Sequence, residues 1–204
     1  MVSVIDYGMG NLRSVRNALN YLGIENRFIS EPADVSNSPR LIVPGVGSFM
    51  HAMTNLASLG LVDPIRAAGA RGVPILGICL GMHLLADEGD EGGGCSGLRL
   101  IPGTVKRIDA RSHTLKIPHM GFNQVRFHAS HPLFSGVADA SDFYFAHSYQ
   151  FICSDRHAAA TTTYGEPFVS VVAQHNVMGV QFHPEKSQVH GLTLLRNFCE
   201  LPAC

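Results

Sequence analysis

The spacing of apolar residues along the first half of the chain predicts alternating strands and helices. Residues 2–5 predict a strand, and after Asn11, a residue able to cap a first turn, apolar residues recur at helical spacing at Leu12, Val15, Ala18, Leu19 and Leu22. Residues 41–43 and 75–78 are apolar throughout. Such runs are typical of central strands in a parallel sheet that helices cover on both faces.

The second half is richer in Val, Phe and Tyr and predicts strands linked by short turns, at residues 123–128, 142–145, 148–153 and 168–173. A closing helix is predicted by the apolar stripe of Val189, Leu192, Leu195 and Phe198. Residues 87–97, rich in acidic residues and glycine, predict a loop. We therefore predict an α/β three-layer sandwich: a central, mostly parallel sheet with helices on both faces and added antiparallel strands.

Composition fits one packed domain. The chain has 204 residues, enough for a single domain over residues 1–204 and short for two. Hydrophobic residues make up 46% and charged residues 15%, which disfavours disorder. The formal net charge of -1 supplies no field that would concentrate nucleic acid or anionic lipid, so we expect neither as a partner.

Cysteine usage and the N-terminus indicate the compartment. The five cysteines, which cannot all pair within one chain and form no CxxC pair suited to zinc, are Cys79, Cys95, Cys153, Cys199 and Cys204. Free thiols in a reducing cytosol fit best, and no metal is expected. Asp6 stands where a signal peptide would be apolar, and no apolar run approaches the roughly 18 residues of a membrane span. We expect a soluble cytoplasmic protein without a membrane partner.

A first candidate for chemistry lies at Gly77-Ile78-Cys79-Leu80-Gly81, between a predicted strand and a predicted helix. This layout is that of the Gly-x-Ser-x-Gly nucleophile elbow with sulfur in place of oxygen. The glycines let the backbone crowd around a strained turn residue, and a helix N-terminus favours the thiolate. Cys79 is thus a candidate nucleophile. From this segment alone, a small buried side chain at the end of a core strand is the alternative.

A candidate base and its orienting group lie in residues 179–187. Residues two apart in an extended chain face the same side, so His183 and Glu185 should project together, with Pro184 holding the backbone extended. A Cys/His pair needs a third group that fixes the imidazole tautomer, and a carboxylate serves. Alone, His-x-Glu is more often a surface or structural feature. Beside an elbow cysteine it predicts a triad.

Two glycine-rich turns are also candidates for binding. Residues 43–49 follow a central strand, so their backbone N–H groups, with that of Leu80, are able to face a developing oxyanion; an ordinary strand-to-helix turn is the alternative. Residues 7–12 contain Gly-x-Gly but lack the third glycine of a dinucleotide fingerprint. Nucleotide binding is therefore rejected there, and no cofactor is predicted.

Together these segments resemble the class I (triad) glutamine amidotransferases, and most closely the family of glutaminase subunits of imidazole glycerol phosphate synthase. The resemblance spans nearly the whole chain in the right order and rests on residues 6–12, 44–47, 77–82, 117–121, 144–149 and 180–187. It implies the fold of that class. It also implies that Cys79 attacks the side-chain amide of glutamine, that His183, oriented by Glu185, moves the thiol proton to the leaving ammonia, and that water hydrolyses the thioester.

The resemblance further implies which groups stabilise the transition state. Backbone N–H groups of Val46 and Leu80 would bind the oxyanion, the former after a peptide flip at Gly45-Val46. If the Val46 N–H rests turned away, the solitary chain lacks a donor worth on the order of 3 kcal/mol, or about a hundredfold in rate. Low activity without a partner is therefore expected.

Substrate and partner contacts follow from the same resemblance. Glutamine would be held by Gly47, His83, Glu91, Ser148 and Tyr149, with Glu91 on the α-ammonium. Ammonia is mostly protonated in neutral water, so a partner must receive it through a protected path. The family's partner is a (βα)8-barrel cyclase in a heterodimer, and Asn11, Tyr144 and Lys186 would lie at that interface near the ammonia passage.

Two positions depart from the family pattern. His83 stands where glutamine is usual, so it must supply an equivalent hydrogen bond or leave the substrate held more weakly. Phe122 stands where tryptophan is frequent, which keeps the aromatic bulk and loses the indole N–H.

Three functions compete for these features. The first is a glutaminase whose cyclase partner makes imidazole glycerol phosphate and an aminoimidazole carboxamide ribotide in histidine biosynthesis. The second is a paralogous glutaminase that feeds the amidination of a surface-polysaccharide sugar, which the departures at His83 and Phe122 would suit. The third is an inactive scaffold for the barrel partner, against which the intact Cys79, His183 and Glu185 argue.

Overall fold

The computed structural model describes residues 1–109, 115–128 and 130–202; Cys204 lies outside this part of the chain. The first half alternates strands and helices, as predicted: β1 (Val2–Ile5), α1 (Leu12–Tyr21), β2 (Asn26–Ile29), α2 (Pro32–Ser36), β3 (Leu41–Gly45), α3 (Phe49–Ser58), α4 (Val62–Ala70), β4 (Ile75–Cys79) and α5 (Leu80–Leu84). Of these, β2, α2, α3 and α4 were not predicted individually. The apolar runs of β1, β3 and β4 are fully buried, which explains why these strands carry no alternating polar residues.

The second half is mainly β structure: β5 (Glu88–Gly89), β6 (Cys95–Ser96), β7 (Thr104–Arg107), β8 (His119–Phe127), β9 (Ser141–His147), β10 (Tyr149–Ile152), β11 (Ala158–Tyr164), β12 (Glu166–Gln174) and β13 (Val177–Val180), followed by α6 (Gln188–Glu200). The loop predicted over residues 87–97 is wrong in part, because β5 and β6 pair there as a short antiparallel hairpin. Three 3₁₀ turns cover Pro132–Phe134, Asp155–His157 and Pro184–Lys186.

One sheet positions the rest of the molecule. Its strands run in the order β2-β1-β3-β4-β13-β12-β10-β7-β5-β6, and β11, β8 and β9 extend it sideways from β12. The strands from β2 to β13 are parallel neighbours, whereas β12 and most strands beyond it pair antiparallel. The sheet thus has a parallel centre with antiparallel additions, as predicted.

Helices cover both faces of the sheet. On one face, Val43 and Ile75 pack with Phe49 and Leu56 of α3 and Ile65 of α4. On the other face, a second cluster joins strand residues to the buried sides of α1 and α6, including Ile42, Leu76, Val15, Leu19, Leu195 and Phe198. The predicted three-layer α/β class is confirmed by this arrangement.

Two smaller expectations concern helix capping and membranes. Asn11 occupies the position before α1, but its side chain makes no capping hydrogen bond; its backbone carbonyl accepts from Ser14 and Val15 instead. Within the described residues, no helix is long and apolar enough to cross a bilayer. Cys79, Cys95, Cys153 and Cys199 are free thiols.

Candidate active site

Cys79 lies at a strained turn between β4 and α5. Its backbone has φ 54° and ψ -110°, a conformation that costs a non-glycine residue about 1–3 kcal/mol and persists only where the surroundings impose it. A Cβ at Gly81 would overlap the Val43 carbonyl oxygen, and one at Gly77 would lie 2.5 Å from the Gly81 oxygen. Both flanking glycines are therefore required for this turn. Cys79 is 6% exposed, and it lines a pocket rather than only filling the core.

His183 and Glu185 meet beside Cys79, although not by the predicted route. The segment is not an extended strand, because β13 ends at Val180 and Pro184 begins a 3₁₀ turn. Proline favours this first position of a turn because its φ is already fixed and its N–H is not needed. The turn still brings His183 Nδ1 within 2.8 Å of Glu185 Oε1, and both side chains are almost fully buried.

The electrostatics of His183 fit a proton carrier. Burial by itself would lower the pKa of His183, but its hydrogen bonds with the Cys79 thiol and the Glu185 carboxylate outweigh burial and raise it to about 10. The Cys79 sulfur also lies 3.9 Å from the Ala146 carbonyl oxygen. The site therefore favours a protonated imidazole between a sulfur and a carboxylate, which is the charge distribution of an activated Cys/His pair.

Ser187 fixes the backbone that carries His183. Its hydroxyl donates to the His183 carbonyl oxygen at 2.6 Å and accepts from the Tyr144 N–H at 2.9 Å. The His183 N–H in turn donates to the Tyr144 carbonyl at 2.8 Å. The backbone of His183 is thus tied twice to β9. The sequence pattern includes Ser187 in a motif but predicts no role for it.

Tyr7 is a second residue whose role the sequence pattern does not predict. It is buried, and its hydroxyl donates to the Pro44 carbonyl at 2.7 Å. Pro44 lies near the end of β3, within the glycine-rich turn of residues 43–49. Burial, and then the neighbouring Cys79, raise the pKa of Tyr7, so it stays a neutral donor. A Cβ at Gly45 would lie 2.6 Å from this hydroxyl, so glycine is needed for the close approach.

The glycine-rich strip follows directly beside the elbow. Gly45 of β3 is in register with Cys79 of β4, so Val46 and Gly47 continue past the sulfur. Val46 is 43% exposed, and Gly47 has φ 105°, which favours glycine. The donors predicted at Val46 and Leu80 therefore both lie at the edge of the Cys79 pocket.

A pocket of about 180 Å³ opens over Cys79 and Leu80. All five residues predicted to hold glutamine line it: Gly47, His83, Glu91, Ser148 and Tyr149. The remaining lining residues are Val46, Pro118, Ala146 and His147. The structure thus brings these predicted residues together; their roles stay predictions.

Glu91 and His83 have partners that limit what they can offer a ligand. Glu91 Oε2 accepts from the Phe49 N–H at the start of α3, 2.8 Å away, which leaves Oε1 for a cation. Burial raises the pKa of its carboxyl, and the Phe49 N–H opposes that rise. Burial lowers the pKa of His83 to about 4, and His83 Nε2 lies 2.6 Å from Gln181 Oε1. This contact occupies His83 Nε2, so only Nδ1 of the ring is left for substrate.

The predicted interface residues lie on one side of the triad. Lys186 Nζ sits 5.6 Å from the centre of the Tyr144 ring, and the rings of Tyr144 and Phe122 are 5.6 Å apart. Phe122 is 52% exposed and Met120 64% exposed. Helix α1, which Asn11 precedes, packs against the turn that carries Lys186. This surface combines exposed apolar and aromatic side chains with the Lys186 ammonium, and the centre of the Tyr144 ring lies 6.5 Å from that of His183.

Comparison with known proteins identifies a family and relatives that match nearly the whole chain. The family described as "Glutamine amidotransferase class-I" matches residues 3–201. The imidazole glycerol phosphate synthase subunit HisH of Moorella thermoacetica is 48% identical over 201 residues, covering 98% of this chain and 94% of the relative. An imidazole glycerol phosphate synthase subunit HisH 1 of Campylobacter jejuni is 43% identical, covering 98% and 100%.

Solved structures share the fold. A structure described as a glutamine amidotransferase superposes with a TM-score of 0.75 at 22% identity, covering 98% of this chain and 97% of the other. A glutamine amidotransferase from Thermotoga maritima gives a TM-score of 0.69 at 14% identity, covering 98% of both chains.

Proposed function

The chain belongs to the class-I glutamine amidotransferases, and from that membership we propose that it is a glutaminase that supplies ammonia for imidazole glycerol phosphate synthesis. The observation that carries the proposal is the meeting of a strained Cys79 with the bonded pair His183 and Glu185 at one pocket. The relatives named as HisH subunits support the histidine pathway over sugar amidination.

The reaction begins with proton transfer and attack. His183 takes the proton of the Cys79 thiol, and the sulfur attacks the side-chain carbonyl carbon of glutamine. The tetrahedral intermediate collapses as His183 gives its proton to the leaving nitrogen, which departs as ammonia. Water, deprotonated by His183, then cleaves the γ-glutamyl thioester to glutamate and restores the thiol.

The remaining groups stabilise charge during these steps. Glu185 stabilises the imidazolium, which agrees with the raised pKa of His183. The N–H groups of Val46 and Leu80 bind the oxyanion, Val46 after rotation of the Gly45-Val46 peptide. Glu91 Oε1 binds the substrate α-ammonium, and Gly47, Ser148 and Tyr149 hold its other polar groups. His83 contributes one ring nitrogen, Nδ1, because Gln181 occupies the other.

The ammonia passes to a (βα)8-barrel cyclase bound as a heterodimer partner. The surface of Asn11, Tyr144, Lys186, Phe122 and Met120 lies beside His183 and exposes two large apolar side chains, as an interface core requires. The partner makes imidazole glycerol phosphate and an aminoimidazole carboxamide ribotide. The single domain works in the cytoplasm, where a reducing environment keeps Cys79 a thiol.

Glutamate release from glutamine tests the proposal. The purified chain is assayed alone and with a barrel cyclase plus its ribonucleotide ligand; Cys79→Ala is the blank, and Cys95→Ala, which alters a free thiol outside the pocket, is the matched control. We expect strong stimulation by the cyclase that vanishes only in Cys79→Ala. No turnover in a protein that a glutamine analogue still alkylates at Cys79 would indicate another acceptor, and no alkylation would indicate a scaffold.

A further inference from the structure

Two buried histidines that the mechanism does not use lie next to the substrate pocket. His119, at the start of β8, is 3% exposed, and His147, at the end of β9, is 5% exposed. Their rings are joined by a hydrogen bond of 2.9 Å between His119 Nδ1 and His147 Nε2. His147 lines the pocket, whereas His119 stacks between Phe145 and Tyr164 with centroid separations of 4.8 and 4.1 Å.

The tautomer of His147 is fixed by its other nitrogen. His147 Nδ1 lies 2.7 Å from the Tyr149 carbonyl oxygen, which can only accept, so Nδ1 carries the hydrogen. In a neutral ring Nε2 is then an acceptor. The hydrogen between the two rings therefore belongs to His119 Nδ1.

The contact of His119 with Asn123 leads to the same assignment of the hydrogens. His119 Nε2 lies 3.3 Å from Asn123 Nδ2. The Asn123 amide is held in one orientation, because its nitrogen also donates to the Thr163 carbonyl at 2.9 Å and its oxygen accepts from the Gln124 N–H at 2.8 Å. An amide nitrogen is a donor, so His119 Nε2 must accept. Both ends thus require two neutral rings, each with its hydrogen on Nδ1.

The surroundings agree with neutral rings. Burial lowers the pKa of His119 to about 4. Burial also lowers the pKa of His147 to about 3, with the Tyr149 carbonyl opposing and the nearby His83, His119 and His183 adding to the effect. A second positive charge beside the protonated His183 is thereby avoided.

We propose that His119 and His147 are positioning residues that hold the turn between β9 and β10, and with it Ser148 and Tyr149, in the shape the substrate pocket needs. Ser148 alone connects the two strands, and the His147–Tyr149 hydrogen bond spans it. The inference rests on the proposed function, since it assigns the pair to the glutamine-binding wall of that site. Among the described residues, neither ring is hydrogen-bonded to Cys79, His183 or Glu185.

Ring nitrogen NMR on the intact, isotopically labelled protein tests the tautomers directly. At pH 7 we expect both histidines to be neutral with hydrogen on Nδ1, the tautomer that free histidine disfavours, and to remain neutral at pH 5.5. A hydrogen on Nε2 of either ring, or a charged ring at pH 7, would overturn the inference. This measurement needs no variant to fold and no partner.

His119→Phe tests the positioning role, because it keeps the stacking and removes the donor to His147. The probe is a diazoketone analogue of glutamine that alkylates Cys79, compared with iodoacetamide, which is too small to use the pocket wall. We expect the half-saturating analogue concentration to rise about tenfold, from the loss of one buried hydrogen bond, while the iodoacetamide rate stays unchanged. His157→Phe, at a buried histidine that does not line the pocket, should change neither.

The outcomes separate the two proposals. A folded His119→Phe protein with unchanged half-saturation, or with both alkylation rates lowered equally, would overturn the positioning role while leaving the glutaminase intact. Absence of analogue alkylation in the unaltered protein would overturn the proposed function and this inference with it. Should His119→Phe not fold, the NMR tautomers of the unaltered protein decide.

Discussion

Replacement of Ser187 by alanine should loosen the catalytic histidine without touching its side chain. The hydroxyl of Ser187, which is 1% exposed, donates to the His183 carbonyl and accepts from the Tyr144 N–H. The His183 carbonyl keeps a second partner in the Lys186 N–H, 3.0 Å away. The Tyr144 N–H loses the partner it has in the structure. The substitution therefore leaves one buried donor without a partner and removes one of the two hydrogen bonds to the His183 carbonyl.

The magnitude follows from these two bonds. A lost hydrogen bond costs about 1 kcal/mol, and a buried donor left without a partner adds about 1–3 kcal/mol, so the free energy of unfolding should fall by about 2–4 kcal/mol. For a chain of this length that corresponds to a fall in Tm of about 4–16 °C. Because misplacing a catalytic group by about 1 Å can cost a hundredfold, we expect kcat to fall between about tenfold and a hundredfold with little change in KM.

Calorimetry and steady-state glutaminase assays with the cyclase measure both effects. Ser170→Ala is the matched control, since Ser170 is fully buried on β12 and its hydroxyl has no partner among the described residues. Ser187→Thr keeps a hydroxyl and should recover part of the activity. If Ser187→Ala and Ser170→Ala melted within about 1 °C of each other and turned over equally, the reasoning would be refuted.

Three further predictions address the pocket, the elbow and pH. Glu91→Gln keeps an acceptor for the Phe49 N–H and removes the charge, so KM for glutamine should rise about tenfold at unchanged Tm. Asp90→Asn, at a residue outside this pocket, is the control. An unchanged KM in Glu91→Gln would refute the assignment of Glu91 to the substrate α-ammonium. Gly81→Ala should give a protein without native circular dichroism or Cys79 alkylation, because its Cβ overlaps the Val43 carbonyl; a native spectrum with normal alkylation would contradict this. The pKa values of His83, His119 and His147 are lower in the folded protein than in the unfolded chain. On acidification the unfolded chain therefore binds protons first, and the free energy of unfolding should fall as pH drops from about 6.5 to 4. The fall should be at most about 1.4 kcal/mol per pH unit for each histidine. Urea unfolding at a series of pH values measures this effect. The free energy of unfolding should depend less steeply on pH in His119→Phe than in the unaltered protein, and equal pH dependence would count against the neutral pair.

The sequence predicted the elements whose burial leaves a simple pattern. β1, β3 and β4 are apolar on both faces because helices cover both faces of the sheet. The elbow was predictable because a side chain at Gly77 or Gly81 would overlap neighbouring backbone, so glycine is required at both positions and marks the turn in the sequence. β11 was missed because its run of Ala and Thr contains little apolar bulk, and β5 and β6 because two residues show no periodicity. The strands β2, β7 and β13 and the helices α2, α3 and α4 were also not predicted individually.

The partners of the site residues were harder to predict. Tyr7 bonds to Pro44, 37 positions away, and Ser187 to Tyr144, 43 positions away, contacts that no local spacing encodes. His183 and Glu185 were paired correctly from their spacing of two, but the extended backbone was wrong because Pro184 starts a turn. His83 was predicted at the pocket, whereas the contact of its Nε2 with Gln181, 98 positions away, depends on tertiary packing.

The strand order also has a consequence for the synthesis of the protein. β4, which ends at Cys79, pairs on one side with β3 and on the other with β13, the last strand in the described part of the chain. A polypeptide still growing on the ribosome thus carries Cys79, the proposed nucleophile, and the glycine-rich turn of residues 43–49 long before it carries His183. On the proposed mechanism, glutamine hydrolysis begins only once the C-terminal segment emerges and inserts between β4 and β12. Prematurely terminated chains would on the same mechanism release no ammonia.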